Sequence, residues 1–419
     1  MYTTLFRPSP RAAADATTVT AVATLDAALG AEWDALATGA SLFVSRPYLR
    51  AVERDHATSP RYLLARDRGG RLVAALPCYG WDGGAAPALD HYDPFAMGGR
   101  WLLGERTQPA EWRPTLFVGT RSGYVNEWLV HPDWRDRTRV LVRRLLAAAA
   151  RLGAGSGCRS LGAMWLTSTA ARDVQACLRS RDRLLLGAGS ATLDIGWDSF
   201  DGYLARLGPS RRHTVRRELE RFRRSGLRVT EAGLADSADI LGELASPLQA
   251  KYGHRMAAAA LTEQFRAQAD ELDRESWVLL CWRRDRPVGF TCFFRWGDTL
   301  YGRAAGFDYD AVAGAAAYFN LAFYRPIAHA IATGARRIHL GLASWEAKVL
   351  RGARLDPHWL WIVPPTRWRS SWGRRVPPQV EGHRRWLEEM VRPVVGELPQ
   401  RDWDPEAWRD PADPGGQGR

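Results

Sequence analysis

Two lysines are exceptional among the basic side chains of this 419-residue chain. Lysine and arginine together number 58, yet only Lys251 and Lys348 are lysine. Arginine stays charged in proteins, whereas the pKa of a lysine changes when its amine is buried. Lys348 lies between Gly341 and Gly352, just after a strand-like run. This context predicts a functional site, with an ordinary charge on a helix surface as the alternative.

A strongly basic helix is predicted over Arg211–Ser225. It ends at Gly226, in the position where a glycine commonly closes a helix. One apolar stripe is expected to pack on the core, because Val215, Leu219 and Phe222 recur at helical spacing. The remaining faces are largely cationic. They can bind phosphates, or they can simply be solvated.

A strand runs into a loop rich in glycine and alanine, and then into a helix, between Tyr301 and Asn320. Such a junction can hold a phosphate at the helix N-terminus. In ordinary GNAT acetyltransferases the acetyl-CoA loop lies in this place and reads Arg/Gln-x-x-Gly-x-Gly/Ala. Gly314 and Ala316 fit its last two positions, but Ala311 occupies the first. The partial match argues against a plain CoA enzyme.

Few other motifs in the chain carry chemistry. His339 alternates with Ile338 and Leu340 on a predicted strand, so it points into a cleft or is a hydrogen-bonded core histidine. No GxSxG, HExxH or Walker sequence occurs. The five cysteines form no CxxC pair, which argues against a disulfide framework and a structural zinc site. We therefore expect neither a metal nor a cofactor.

The composition is that of a globular protein with a basic bias. Apolar residues make up 46% of the chain and charged residues 25%, and its length favours two to three domains. The net charge of +12 favours a polyanionic partner, although an arginine-rich genome produces part of the same bias. No signal peptide and no stretch of 18 apolar residues is present. We expect a cytoplasmic protein without stable membrane insertion.

The predicted elements form two similar halves. The first half contains a helix that begins after Ser45 as its N-cap, a hairpin over 61–66 and 71–79, and an amphipathic helix over 137–152. The second half contains a three-stranded meander over 277–306, a helix over 315–333 and a strand over 337–341. This order predicts an α/β protein of the α+β type with one mixed sheet, and a tandem duplication of one fold.

Three regions are predicted from this order. Residues 1–185 form an N-terminal domain that begins with a disordered lead-in up to about residue 16, and residues 186–362 form a C-terminal domain with the catalytic cleft. Residues 363–419 form an extension rich in Arg, Trp and Pro. The extension is partly disordered and holds one helix over 380–391, which Pro393 ends.

Taken together, these motifs resemble the Fem-like branch of the GNAT superfamily, the FemAB or peptidoglycan-biosynthesis type. The resemblance covers residues 190 to 362, whereas the first half matches in layout alone. Five groups of residues carry it: Tyr203-Leu204 with Arg211, Arg212, Arg216, Arg217 and Glu218; Lys251-Tyr252-Gly253; Tyr301 with Gly306-Phe307-Asp308; Tyr318-Phe319-Asn320 with Tyr324; and His339-Leu340-Gly341 with Lys348, Arg351 and Gly352.

The resemblance implies tandem GNAT-like domains, each a mixed, mostly antiparallel sheet flanked by helices. It also implies transfer of an aminoacyl group from aminoacyl-tRNA to an amine, with formation of an amide bond. A family lysine near the end of the second domain contacts the donor or the reacting centre, and Lys348 matches its place. The chain lacks an inserted coiled-coil arm. This favours a small amine acceptor in antibiotic biosynthesis, with a cell-wall peptide as the other possibility.

The implied reaction suggests roles for four candidate catalytic residues. An aminoacyl ester is already activated, so the enzyme must hold two reactants together and stabilise an oxyanion. Lys348 as a cation would stabilise the oxyanion. Backbone N–H groups of a bulged strand near 304–306 are the second candidate for this role. Asp308, Glu346 or His339 would take the amine proton, in no ranked order.

The resemblance also implies two sets of binding residues. The predicted pocket wall consists of Tyr301, Arg303, Tyr318, Asn320 and Tyr324. The predicted tRNA contacts are Arg211, Arg212, Arg216, Arg217 and Arg351. Tryptophans of the C-terminal extension would stack on the unpaired bases of the tRNA end.

Two other functions remain open from the sequence. The first is an N-acyltransferase on the same fold that takes its acyl group from an acyl-CoA. The second is a polyanion binder that kept the fold and lost the chemistry. Such a protein would tolerate Lys348→Arg, whereas an enzyme would not.

Overall fold

The structure is a computed structural model. It describes residues 17–54, 59–82, 111–120, 122–177, 184–251, 256–342, 344–365, 369–395, 400–403 and 408. Three expectations therefore lie outside the described residues. They are the disordered lead-in up to residue 16, the Tyr252-Gly253 part of the family motif, and most of the tail from residue 399.

One thirteen-stranded sheet extends through the described part of the chain. Its strands are β1 Thr18–Val22, β2 Ser59–Arg66, β3 Leu72–Trp81, β4 Thr115–Val118, β5 Leu129–Val130, β6 Ser160–Leu166, β7 Leu184–Asp194, β8 Arg228–Ala232, β9 Ser276–Arg283, β10 Arg286–Trp296, β11 Thr299–Phe307, β12 Arg337–Leu342 and β13 Arg354–Val363. The spatial order is β1-β2-β3-β4-β6-β13-β7-β12-β11-β10-β9-β8, with β5 beside β3.

Helices cover both faces of this sheet. They are α1 Ala27–Ala37, α2 Arg46–Glu53, α3 Thr138–Gly155, α4 Ser168–Cys177, α5 Phe200–Arg206, α6 Pro209–Arg224, α7 Leu234–Lys251, α8 Ala258–Leu272, α9 Ala317–Phe319, α10 Arg325–Ala332, α11 Trp345–Val349, α12 Arg369–Val395 and α13 Gln400–Trp403. A π-helical turn, Asn320–Tyr324, joins α9 to α10.

The same strand pattern occurs in both halves of the sheet. In the first half the antiparallel strands β1 to β4 are followed by α3 and by β6, which is parallel to β4. In the second half the antiparallel strands β8 to β11 are followed by α10 and by β12, which is parallel to β11. The predicted α/β class and tandem arrangement are confirmed, although no repeat is visible in the sequence.

The last strand joins the two halves. β13 is antiparallel to β6 on one side and to β7 on the other, so a strand of the second half lies directly beside the first half. The sequence-based boundary at residue 186 falls within β7. The middle of the sheet is therefore shared between the halves.

Alternating side chains on each strand pack against two different layers of helices. On the first face Leu63 and Ala65 of β2 belong to a core with α3, α4, α5, α10 and α12. On the second face Tyr62 and Leu64 belong to a core with α1, α2, α7 and α8. The helices of the second face lie over the outer strands of the sheet, and the middle strands β7, β12 and β13 line a cavity there.

Several local predictions are confirmed because short-range chemistry decides them. Ser45 caps α2, since its side chain accepts a hydrogen bond from the Tyr48 N–H. Gly226 follows α6 with φ of +71°, a conformation that glycine adopts without strain. The predicted hairpin is β2 and β3, and the predicted meander is β9 to β11.

Two predicted helices differ from the observed ones. The helix expected over 315–333 is interrupted by the π-helical turn just before Pro326, whose ring cannot continue a regular helix. The tail helix starts at Arg369 and runs past Pro393 to Val395, so its expected stop is wrong. Burial of Val380 and Leu387 in the first-face core stabilises this helix beyond its local preference.

Candidate active site

A cavity of about 440 Å³ lies over the middle strands on the second face of the sheet. We call it the central cavity. The second half contributes Ser190, Thr192, Tyr301, Arg337 and His339 to its wall. The first half contributes Ser41, Glu127 and Thr167. Its size is that of a small-molecule site, and both halves of the chain build it.

Strands β11 and β12 are paired along the wall of this cavity and separate beyond it. Their parallel pairing extends from Thr299 opposite Arg337 to Tyr301 opposite His339. Beyond this pair, β11 and β12 are not paired with each other within the described residues. We call the separated segments, 302–307 of β11 and 340–342 of β12, the fork. Backbone groups at a fork are released from the sheet ladder and can bind a ligand.

A β-bulge lies at the start of the fork. Cys292 of β10 is opposite Ala304, and the next residue, Phe293, is opposite Gly302, so Arg303 is the additional residue. The bulge was expected near 304–306 and occurs about one residue earlier. A bulge turns backbone and side chains away from the regular ladder. It directs Arg303 toward the first half, where Nη1 donates to the Tyr124 hydroxyl at 3.0 Å.

His339 lies on the wall of the central cavity. It is 6% exposed, and its Nε2 and the Ser190 Oγ form a hydrogen bond of 2.7 Å. Burial, with the charges of His358, Lys348 and Arg354, lowers the pKa of His339 to about 3. The imidazole therefore stays neutral at physiological pH. Both alternatives left by the sequence apply, since this histidine is hydrogen-bonded and also faces a cleft.

Lys348 is not an ordinary surface charge, because only 5% of the residue is exposed. It lies in α11, and its Nζ donates to the carbonyl oxygens of Gly341 at 3.0 Å and Leu342 at 2.8 Å. Gly341 has φ of +75°, which turns the end of β12 toward this amine. Burial lowers the pKa of Lys348 to about 7. The amine lies behind the fork and does not line the central cavity.

The other two predicted proton acceptors occupy different environments. Asp308 closes the turn after β11, where its carboxylate accepts hydrogen bonds from Arg286 at 2.7 Å and from the Ala311 N–H at 3.0 Å. Glu346 is exposed on α11. Neither carboxylate lines the central cavity. Of the three predicted acceptors, the structure brings His339 to the cavity.

Arg351 forms a buried ion pair instead of a surface for phosphates. It is 6% exposed, and its Nη2 lies 2.7 Å from the carboxylate of Glu218. The Tyr324 hydroxyl binds the same carboxylate, and the Arg351 Nε donates to that hydroxyl at 3.1 Å. A guanidinium held in this way cannot reach a phosphate. The expected tRNA contact through Arg351 is therefore not supported by its position.

The predicted pocket wall is divided between the two faces of the sheet. Tyr301 lines the central cavity, and Arg303 lies at the fork. Tyr318 and Tyr324 pack against the first-face core. The amide of Asn320 donates to the backbone of α6 and of its own helix. These last three residues therefore do not line the cavity.

The basic helix α6 exposes part of its predicted phosphate-binding set. Arg216 and Arg217 are exposed, and Arg211 and Arg212 are half-buried. Arg212 donates to three carbonyl oxygens at the end of α5, with the shortest distance, 3.0 Å, to those of Leu204 and Leu207. A cation at a helix C-terminus is favourable there. Arg212 therefore closes α5, while Arg216 and Arg217 remain available to a partner.

The corresponding fork of the first half is filled by the chain itself. Asn126 lies beside β6, where its N–H donates to the Trp165 carbonyl at 2.8 Å and its carbonyl accepts from Thr167 at 3.1 Å. Its side-chain amide also bonds Val118 and Thr120. The first half therefore has no open fork of its own in this region, and the fork between β11 and β12 is the candidate reacting centre.

Three polar residues at these sites received no role from the sequence. Ser190 and Glu127 belong to strands and loops with no motif, so no local signal identified them. Glu218 was recognisable, because it lies four residues before Phe222 in the apolar stripe of α6, and it is buried. A carboxylate in such a stripe needs a buried partner, which is Arg351.

Comparison with known proteins agrees with this architecture. Residues 127–363, more than half of the chain, match the FemAB-like family model, which is described as peptidoglycan biosynthesis/recognition. The structure of FemX covers 81% of this chain and 98% of its own, with 11% identity and a TM-score of 0.53. This alignment shows a common fold.

Two further solved structures are similar at lower scores. A tandem GNAT protein from the clavulanic acid biosynthesis pathway, without acetyl-CoA, covers 83% of this chain and 98% of its own, with 16% identity and a TM-score of 0.47. The L-PGS structure from Bacillus licheniformis covers 83% and 96%, with 10% identity and a TM-score of 0.45. No curated protein matches the chain significantly.

Neither a metal site nor a membrane span was found in the part of the chain that the structure describes. Its His, Cys, Asp and Glu side chains do not gather in threes around a common point that could hold a metal ion. Its helices are too short or too polar to cross a bilayer.

Proposed function

This chain belongs to the FemAB-like family, and from that premise we propose that it is an aminoacyltransferase that uses aminoacyl-tRNA as donor. It forms an amide bond between an amino acid and an amine. The observation that carries the proposal is the fork beside the central cavity. There, the strand pair separates just beyond the cavity residues Tyr301 and His339, a bulge begins the separated part of β11, and the buried Lys348 amine bonds the end of β12.

The reaction needs positioning more than a reactive side chain. The amine nitrogen attacks the ester carbonyl, a C–N bond forms, and the C–O bond to the tRNA ribose breaks. The proton lost by the nitrogen replaces the acyl group on the ribose oxygen. Because the ester is already activated, alignment of the reactants and oxyanion stabilisation supply most of the rate.

The cysteines favour direct transfer over an acyl-enzyme intermediate. All five are buried. Burial raises the pKa of Cys177 and of Cys281 to about 11, so their thiols stay protonated near neutral pH. A buried thiol is a poor nucleophile. Transfer from ester to amine in a single complex does not require one.

The residues at the fork receive the following roles in this proposal. Lys348 holds the separated end of β12 and places positive charge behind it, where negative charge develops on the reacting carbonyl. The N–H groups next to the bulge at Arg303 are the second source of oxyanion stabilisation. Neutral His339 is the predicted proton acceptor that lines the cavity, although its low pKa makes it a weak base.

The remaining partners follow from the same reaction. The exposed Arg216 and Arg217 contact tRNA phosphates, and the donor enters from the side of the unit formed by residues 186–362. The unit formed by residues 1–185 closes the acceptor side of the cavity. The acceptor is a small amine of natural-product biosynthesis or the amine of a cell-wall peptide. A tRNA donor places the reaction in the cytoplasm.

A second candidate function is N-acyl transfer from an acyl-CoA. The loop after β11 lacks a basic residue at Ala311, but Arg283 lies against it and donates to the Ala311 carbonyl at 2.6 Å. A guanidinium is therefore present where a phosphate-binding loop needs one. Gly314 and Ala316 both have positive φ, which gives this loop a sharply turned backbone.

Co-purification distinguishes the two donors. The protein is purified from a bacterial lysate, the bound RNA is separated on a gel, and native mass spectrometry is used to detect CoA. We expect an RNA of tRNA size and no CoA. Bound CoA without tRNA would contradict the tRNA-dependent proposal and would point to the loop after β11.

A further inference from the structure

The carboxylates around the central cavity differ in their partners. Asp298 is paired with Arg337 at 2.8 Å. Asp356 is paired with Arg354. Glu127 forms no ion pair with any residue that the structure describes. It is therefore the one carboxylate of the cavity wall whose negative charge is not balanced by a basic side chain within the described residues.

Glu127 is held firmly in place by its neighbours. The preceding residue, Asn126, is buried and fixed by hydrogen bonds of both its backbone and its side chain. One carboxylate oxygen of Glu127, Oε1, accepts the Ser41 N–H at 2.6 Å. A carboxylate that is ordered before a ligand arrives loses little entropy on binding.

The charge of Glu127 acts on Tyr301, which lies on the same cavity wall. Burial, and secondly the negative charge of Glu127, raise the pKa of Tyr301 to about 12. Tyr301 is opposite His339 at the last pair before the fork. Glu127 therefore lies in the same cavity as Tyr301 and His339, the last pair before the fork, and a positive ligand next to Glu127 would share the cavity with this pair.

We propose that Glu127 binds the acceptor as its ammonium ion, takes one proton from it so that the neutral amine can attack, and makes the central cavity a site for primary alkylammonium groups. This inference rests on the proposed transfer to an amine, and it gives the first half of the chain a direct part in acceptor recognition. A charge-assisted hydrogen bond from an ammonium group to a carboxylate is the interaction that the unbalanced charge favours.

The same chemistry disfavours other ligands. An anionic ligand would be repelled by Glu127, and the arginines of the wall are already paired with aspartates. A neutral alcohol could form a hydrogen bond, but it would gain no charge interaction. A cavity of about 440 Å³ holds a small amine, or the aminoalkyl end of a longer acceptor.

Binding of simple amines tests the proposal without the donor. The probes are pentylamine, cadaverine and pentanol, titrated into the full-length protein and followed by ligand-observed NMR. In Glu127→Gln the amide oxygen can still accept the Ser41 N–H, so the fold is retained. We expect both amines to bind the wild-type protein in a saturable way and pentanol to bind far more weakly. Glu127→Gln should weaken amine binding roughly tenfold or more.

A matched control separates a local effect from a change in overall charge. Glu263 is exposed on α8 and pairs with Arg266. Glu263→Gln makes the same change of net charge away from the cavity and should leave amine binding unaltered. Equal amine binding by wild type and Glu127→Gln would overturn the proposal, and so would the absence of saturable binding by either amine.

The outcome is distinguishable from failure of the proposed function. RNase-sensitive transfer combined with amine binding that does not depend on Glu127 would overturn this inference alone. Conversely, transfer from a CoA thioester that resists RNase, together with amine binding that depends on Glu127, would overturn the tRNA-dependent proposal and leave the amine site in place.

Discussion

Lys348 shows how burial changes the chemistry of a single side chain. Its amine is surrounded by protein, and this burial lowers its pKa although the amine donates to two backbone carbonyls. Arginine could not replace it, because a guanidinium is larger and stays charged. Lys348, one of two lysines in the sequence, is therefore also a lysine whose pKa the fold lowers by burial.

The lowered pKa of Lys348 predicts a specific dependence of stability on pH. The pKa is about 7 in the folded chain and near its ordinary value of 10.5 when unfolded. Between these values the unfolded chain binds the additional proton, so stability rises with pH, by about 1.4 kcal/mol per pH unit. Lys348→Met should lack this rise. The measurement is the free energy of unfolding of both proteins, obtained by urea denaturation at several pH values between about 7 and 10.5.

Parallel stability curves for wild type and Lys348→Met would contradict this account of the buried amine. The methionine variant also leaves the carbonyls of Gly341 and Leu342 without their donor, which lowers its stability by an amount that does not depend on pH. The pH-dependent difference between the two curves, and not their offset, is the informative quantity.

The role of Lys348 in the reaction has its own test. Lys348→Ala should lower turnover by roughly a hundredfold with little change in tRNA affinity, because the charge acts on the transition state. The matched control is Lys251→Ala, since Lys251 is the other lysine and its amine lies over the exposed ring of Tyr309. Near-normal turnover of Lys348→Ala would refute the role.

At the scale of elements, helix α6 combines two tasks on opposite sides. Its core side carries Glu218, which joins Arg351 and Tyr324 and so connects α6 to the π-helical turn and to the segment after α11. Removal of one member of such a buried pair leaves a charge without its partner, which is costly. Its outer side carries exposed arginines that contribute little to the fold.

The outer side of α6 predicts a change in salt dependence. In Arg216→Ala/Arg217→Ala, tRNA binding should weaken and its dependence on salt concentration should become less steep, because fewer counterions are released. The measurement is the tRNA dissociation constant over a series of salt concentrations. Arg223→Ala/Arg224→Ala is the control, since both of these arginines pair with Glu220 on the same helix.

If the salt dependence of tRNA binding were identical in wild type and Arg216→Ala/Arg217→Ala, the outer side of α6 would be a solvated surface. The proposed tRNA path would then have to run elsewhere. The Trp345 and Trp386 rings, 5.6 Å apart on α11 and α12, would be the next surface to test, because Trp386 is exposed and can stack on a base.

At the scale of the whole molecule, the shared sheet explains why both halves of the chain line the central cavity. β13 lies between β6 and β7, and this brings the loop that carries Glu127 over β7 and β12. The first half has closed its own fork with Asn126 and supplies one wall to the fork of the second half. The two halves therefore share one strand pattern but differ at the fork, which Asn126 fills in the first half and which is open in the second.

Sequence reasoning succeeded where neighbouring residues decide the outcome. The hairpin, the meander, the cap at Ser45 and the end of α6 at Gly226 follow from local patterns. It failed where the partner is distant in the chain. Arg351 was expected to contact tRNA, yet its partner is Glu218, and the position of Glu127 on the cavity wall depends on long-range strand pairing. Lys348 was identified through residue usage, but its carbonyl partners were not.

The most direct test of the central claim is a transfer assay with purified components. The protein is incubated with tRNA charged with radiolabelled amino acids and with an amine acceptor, and the label is followed by chromatography. We predict that label moves from tRNA to the amine and that RNase treatment of the donor abolishes the transfer. Amide formation from a CoA thioester that is unaffected by RNase would contradict the account.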